Sequence, residues 1–212
     1  MKKFLLLIFS LSLLVSCKTT YLQQSTNVSN VKKSYNNILI VSKSKDMTAR
    51  IKAENQMVKD FAERGVKSSS SLDVIRTESF DKSLSEKELE DLRNNLVSNG
   101  YDGILITNLI NAEQYQDVIP GGTSTAMVPM RYGRFGRYYS YYPATYWEPD
   151  RIETGIKYTI ETTLYDLTVD QEDNLQWVGR FQVKNPSDLM KLVEQYADEL
   201  ADALLETSVK PN

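Results

Sequence analysis

Few residues in this chain have side chains that could do chemistry. Histidine is absent and cysteine occurs once, at Cys17. That excludes disulfides within the chain, zinc sites of the usual Cys/His kind and every His-based triad or acid–base pair. Cys17 follows the apolar run Phe4 to Val15. A thiolate is a nucleophile, so a lone cysteine at this position is a candidate for covalent modification. The other chemically distinctive stretch is residues 131 to 151, RYGRFGRYYSYYPATYWEPDR, which holds six of the thirteen tyrosines. Arg131, Arg134, Arg137, Tyr138, Tyr139, Tyr141, Tyr142, Tyr146 and Trp147 are residue types that give large contact area, stacking and hydrogen bonds at protein-binding hot spots, and they also suit stacking on glycans. A connecting loop that merely covers a sheet edge or extends its flanking strands is the plainer reading of the same stretch. Glu148 and Asp150 imitate a glycosidase carboxylate pair, but a Pro149 turn points such a pair at solvent. Gly133, Arg134, Phe135 and Gly136 form a GxxG without the two helices that an RNA-binding KH loop must join. Gly121 and Gly122 are followed by neither a Lys nor a helix that could cradle phosphate. The expectation is therefore no catalytic residue, no cofactor, no metal and no nucleic-acid partner.

The N-terminus explains Cys17. Lys2 and Lys3 followed by a 12-residue apolar run form a signal peptide, too short for the roughly 20 residues that span a bilayer. Leu14, Val15 and Ser16 before Cys17 resemble the bacterial lipobox, with a leucine three places ahead and a small residue just before the cysteine. An ordinary signal-peptidase site needs small residues at both places. The lipobox resemblance implies diacylglycerol on the Cys17 thiol, cleavage after residue 16 and membrane attachment through the acyl chains, two or more of which hold a protein stably. Residues 17 to 36 then comprise the lipidated cysteine and a polar tether with an end-to-end distance of roughly 25 Å. Lys18 is not the aspartate that resembles an inner-membrane retention signal in enteric lipoproteins, and no acidic export run follows it. The address implied is the bacterial cell envelope, lipid-anchored at the outer membrane on its periplasmic face.

Residues 37 to 212 must position the Tyr/Arg-rich stretch, and their patterning describes one α/β domain. Ile38 to Val41 reads as a buried parallel strand. Asp46 caps a helix with the stripe Ile51, Val58, Phe61 and Ala62, ended by Gly65. A short strand is expected around Leu72 to Ile75. Ser85 and Glu88 form a capping box, with Leu84 and Leu89 as a staple and Leu89, Leu92, Leu96 and Val97 as the buried stripe. Ile104 to Ile110 is a central strand. Ile156, Tyr158, Ile160, Thr162 and Leu164 alternate with polar residues, and Leu175, Trp177, Phe181 and Val183 repeat that alternation as an antiparallel hairpin. A last helix, capped by Asn185 with Pro186 in its first turn, buries Leu189, Leu192, Val193, Tyr196, Leu200, Ala203 and Leu204. The fold class expected is a mixed five-stranded sheet, β-α-β-α-β followed by a hairpin and a C-terminal helix, with three helices and an insertion at about 112 to 151.

The lipobox, the tether, the apolar first strand, two αβ units, and the hairpin with Leu164 to Leu167 before its turn and Leu175 and Trp177 after it resemble a group of small envelope lipoproteins. That group includes the outer-membrane activators of penicillin-binding proteins, the curli-secretion lipoprotein and a neisserial-type surface lipoprotein family. The chain departs from the curli-secretion pattern in lacking two long amphipathic hairpins, and it has Asp173 and Asn174 where many relatives carry a glycine in the last turn. The resemblance implies a non-enzymatic binding or assembly factor acting on an envelope protein or a cell-wall glycan. Two alternatives stand beside it: a structural subunit of an envelope oligomer or secretion assembly, in which the chain meets its own copies, and a carboxylate-based hydrolase.

Overall fold

The computed structural model describes residues 20–74, 85–132, 138–169 and 173–211. Strands β1 (Leu22–Asn27), β2 (Ile38–Lys43), β3 (Ser68–Ser70), β4 (Gly103–Ile119), β7 (Arg151–Asp166) and β8 (Leu175–Lys184) form one sheet in the order β1-β8-β7-β4-β2-β3. Among the described residues, β5 (Thr123–Tyr132) and β6 (Tyr138–Trp147) pair only with each other. The helices are α1 (Met47–Glu63), α2 (Glu86–Ser98) and α3 (Leu189–Thr207). β3, β2 and β4 are parallel, as βα crossovers require, and β4, β7, β8 and β1 are antiparallel. Among the described residues the fold is α/β with three helices, as expected, but its main sheet has six strands and a separate two-stranded sheet accompanies it.

The sixth strand is β1, drawn from residues expected to serve as tether. Its sequence, LQQSTN, has no apolar alternation. It is held instead by backbone pairing with the otherwise open edge of β8, Leu22 opposite Phe181 and Asn27 opposite Trp177. Glu199 on α3 secures its start, accepting from Tyr21 N at 2.7 Å and Leu22 N at 2.9 Å. Tyr35, also in the expected tether, is fully buried, and burial with the nearby carboxylates of Asp166 and Asp102 pushes its hydroxyl pKa well up.

Alternation along the strands separates two cores. Ile38, Ile40, Leu105, Leu164, Trp177 and Phe181 face α1 and α3 on one side, while Leu39, Val41 and Ile104 face Leu92 and Leu96 of α2 on the other. β4 lies between β7 and β2, as its near-continuous apolar start requires. The α3 stripe Val193, Tyr196, Ala197, Leu200, Ala201, Ala203 and Leu204 is buried, and Tyr196 OH hydrogen-bonds Thr107 Oγ1 at 3.0 Å and also Thr162 Oγ1. Burial pushes the Tyr196 hydroxyl pKa up to about 12.

Several expected elements shift. The inward face of α1 is Arg50, Glu54, Met57, Asp60 and Phe61, whereas Ile51 and Ala62 are exposed. The cause is a buried polar anchor. Glu54 Oε1 accepts from Ser42 N (2.9 Å) and Arg50 Nε (3.0 Å), and its Oε2 accepts from Ser71 N (2.8 Å). The strand expected at Leu72 to Ile75 is Ser68–Ser70, followed by a 3₁₀ turn at Ser71–Asp73; Ile75 lies outside the described residues. The Ser85–Glu88 capping box is present, Ser85 N donating to Glu88 Oε2 at 2.8 Å. Leu89 and Val97 are exposed, however, leaving Leu96 with Leu92 as the contact, and Leu84 lies outside the described residues. α3 is capped by Asp188, which accepts from Met190 N and Lys191 N. Asn185 instead has φ 44° and accepts from Ile156 N at 2.8 Å, and Leu189 is exposed. β4 continues to Ile119 and β7 begins at Arg151, each beyond the expected ends.

Candidate functional site

Those longer strands change what the insertion is. β8 pairs with β7 from Lys157 to Tyr165, and past Lys157 the β4–β7 ladder continues alone from Gln114↔Ile156 to Ile119↔Arg151. The ribbon is tied to the body at its root. Lys184 Nζ meets Asp117 Oδ2 at 2.7 Å and lies 4.7 Å from the Tyr115 ring centroid. Asn185 Nδ2 donates to Tyr115 OH at 2.8 Å. The hydrogen bond to Asp117 raises the Lys184 pKa, and desolvation and Glu153 raise that of Tyr115. Beside the root lies an open cleft of about 660 Å³ lined by Gln114, Tyr115, Gln116, Thr154, Gly155 and Ile156, with no converging carboxylates.

A tight joint links the ribbon to the hairpin. Gly121 N donates to Asp150 Oδ1 at 2.7 Å, and Glu148 N to Gly122 O at 2.8 Å. A Cβ on Gly121 would fall 1.7 Å from Glu148 O, so only glycine fits there. Glu148 and Asp150 are exposed, and Asp150 serves the joint.

Beyond the joint, residues 123–132 and 138–147 pair as antiparallel strands. Thr123 opposes Trp147, Met127 opposes Pro143, Val128 opposes Tyr142, Pro129 opposes Tyr141, Arg131 opposes Tyr139 and Tyr132 opposes Tyr138. Directly opposed residues share a face. One face therefore carries Met127, Pro129, Tyr141, Pro143 and Trp147, and the other Val128, Met130, Tyr142 and Tyr146. Trp147 is 72% exposed, Tyr141 62%, Met127 61% and Met130 58%. Sequence reading missed Met127, Val128 and Met130, although the run TAMVPM carried the signal: it mirrors the aromatic strand across the turn. Residues 123–130 and 138–147 contain no charged side chain. Pro129 and Pro143 sit at ladder positions of the same parity, where backbone groups point outward, so each outer edge lacks one donor.

Of the residues expected to act, Tyr141, Tyr142, Tyr146 and Trp147 are brought together and exposed. Arg131, Tyr138 and Tyr139 lie in the same two strands. Cys17, Arg134 and Arg137 fall outside the described residues. No group of three His, Cys, Asp or Glu residues among the described residues is placed to hold a metal, and none of their helices is long and apolar enough to cross a membrane.

No protein-family model matches the chain, and neither does any curated protein sequence. Solved structures give loose matches. The PelC dodecamer of Paraburkholderia phytofirmans is 10% identical with a TM-score of 0.43, covering 85% of this chain and 94% of that one. A variant of the same dodecamer in a second crystal form gives 10% and 0.43, covering 88% and 97%. A PDZ domain protein from Parabacteroides distasonis gives 10% and 0.34, covering 89% of this chain and 37% of that one. Such scores leave the function of this chain to be argued from its own residues.

Proposed function

We propose that the chain is a lipid-anchored protein of the bacterial cell envelope that acts without catalysis, as a binding or assembly factor whose contact surface is the β5–β6 hairpin. The observation that carries this reading is the hairpin itself. Monomeric proteins rarely expose contiguous apolar surface without a use for it, and Met127, Met130, Tyr141, Tyr142, Tyr146 and Trp147 are all exposed on the charge-free stretches 123–130 and 138–147 of a hairpin that adds nothing to the core. Tyr and Trp present large rigid area at low entropy cost, the composition of a contact surface. The anchor follows from Cys17 behind its lipobox-like Leu14, Val15 and Ser16.

Two measurements test the reading. Labelled palmitate should be incorporated into the full chain and not into Cys17→Ala. Removing residues 121 to 149 and joining Pro120 to Asp150 through two glycines should leave the body within about 1 to 2 kcal/mol of its starting stability, because the segment lies outside both cores. Crosslinking to other envelope components in intact cells should be lost. A folded deletion that still crosslinks would move the contact surface elsewhere, and crosslinks only between copies of the chain would make it a subunit of its own assembly.

A further inference from the structure

Strand directions determine where the residues ahead of Thr20 leave the fold. β1 runs antiparallel to β8, with Leu22 opposite Phe181, and Tyr21 O accepts from Gln182 N at 2.7 Å. Thr20 therefore lies at the Lys184 end of β8. That is the end at which Lys184 pairs with Lys157 and the β4–β7 ribbon leaves the sheet. Thr20 and the root of the arm thus lie at the same end of the sheet. Cys17 is three residues ahead of Thr20, within about 11 Å of it at the reach of an extended chain. From Lys157 to the ribbon's far end at Arg151 is roughly 20 Å, and the ten-residue strands of the hairpin beyond the joint are each roughly 33 Å long. A membrane holding an acyl group on Cys17 therefore lies near the end of the sheet from which the ribbon leaves.

The hairpin has the chemistry of a membrane interface. Its charge-free stretches 123–130 and 138–147 present Trp147, Tyr141 and Met127 on one face, and Trp and Tyr concentrate at the headgroup level of bilayers. A two-stranded ribbon with open edges cannot cross the hydrocarbon layer alone, because its outward N–H and C=O groups would go unpaired. Lying in the interface, those edges remain within reach of headgroups and water. Pro129 and Pro143 remove a donor from each outer edge, which works against strand pairing with another protein or another copy.

We infer that the β5–β6 hairpin seats in the interface of the same bilayer that holds Cys17, with the Met127–Tyr141–Trp147 face on lipid and the Met130–Tyr142–Tyr146 face left for a further contact. This rests on the lipid-anchored reading above and names what the hairpin touches. The protein would be held at two points, an acyl anchor and an aromatic ribbon, which sets its orientation on the membrane.

Trp147 and the fully buried Trp177 are the two tryptophans of the chain, so Trp147 reports alone on the hairpin. The full chain, extracted from bacterial envelopes, is reconstituted into phosphatidylethanolamine/phosphatidylglycerol liposomes made with or without brominated acyl chains. Bromine should remove up to about half of the tryptophan emission, and Trp147→Phe should abolish that loss. The double variant Trp147→Phe, Tyr146→Trp should show a smaller loss, its reporter being on the opposite face. Protein that floats with the liposomes yet emits equally in both overturns the inference while leaving the anchor intact. Protein that does not float overturns the anchor and the inference together. Greater quenching at position 146 than at 147, or disulfide-linked dimers from Tyr141→Cys, would show that the lipid face is wrong or that a second copy covers it.

Discussion

Trp177 on β8 donates its indole N–H to Ser25 Oγ on β1 at 3.0 Å, although 152 positions separate the two residues. The bond joins the largest core side chain to a strand with almost no apolar content of its own. Trp177→Ala is expected to cost about 3 to 5 kcal/mol, the range for losing a buried large aromatic. Ser25→Ala should cost about 1 to 2 kcal/mol by leaving the indole donor unpaired. Urea unfolding monitored by circular dichroism measures both, and a Trp177→Ala cost below about 1 kcal/mol would mean that β8 is out of register.

Gly179 lies two residues along β8 under the same indole. A Cβ there would fall 2.1 Å from Trp177 Cη2. Gly179→Ala should therefore force the ring aside and cost about 1 to 3 kcal/mol, as overpacking a well-filled core does. A neutral result in thermal unfolding would contradict the ring position.

Glu54 and Arg50 form a buried pair on α1, with side chains 0% and 1% exposed. Removing one partner strands the other charge, so Glu54→Ala should cost about 3 to 5 kcal/mol. The double variant Arg50→Met, Glu54→Leu should recover part of that loss, because it removes the charges together. A double variant no more stable than Glu54→Ala would show that the backbone bonds from Ser42 and Ser71 to the carboxylate dominate.

Asp166, at the end of β7, accepts from Lys33 and from Thr168 N at 2.8 Å. Burial raises its pKa, but the bonds from Lys33 and Thr168 and the Lys33 charge outweigh this and hold it below the usual carboxylate value. A carboxyl depressed in the folded state contributes stability above its unfolded pKa of about 3.9, and that contribution is lost as pH falls through the folded value. Wild type should therefore lose stability more steeply than Asp166→Asn below about pH 4, as read from urea midpoints across an acid series. Parallel curves would refute the assignment.

The sequence by itself determined the elements whose signals are local. Apolar alternation and continuous β-branched runs place β2, the start of β4, β7 and β8 because side-chain period and burial are properties of neighbouring residues, and the Ser85–Glu88 box closes within one turn. Gly65 and Gly100 end their helices at positive φ, 75° and 85°, conformations that only glycine adopts at no steric cost. The aromatic character of residues 138 to 147 was legible as composition.

Tertiary structure alone decided the rest, because the deciding partners are distant in the chain. β1 has no pattern and exists because β8 offers an edge and Glu199 offers a carboxylate. The face that α1 buries is set by Ser42 and Ser71 meeting Glu54, which makes the polar Glu54 a core residue and leaves the apolar Ile51 outside. The insertion is a paired hairpin, with Met127 and Pro143 on the face of Tyr141 and Trp147, because backbone donors seek partners across the turn and the resulting register is not written in either strand. That Thr20 and the root of the β4–β7 ribbon lie at the same end of the sheet depends on the antiparallel direction of β1, which is a property of the assembled sheet and not of any stretch of residues within it.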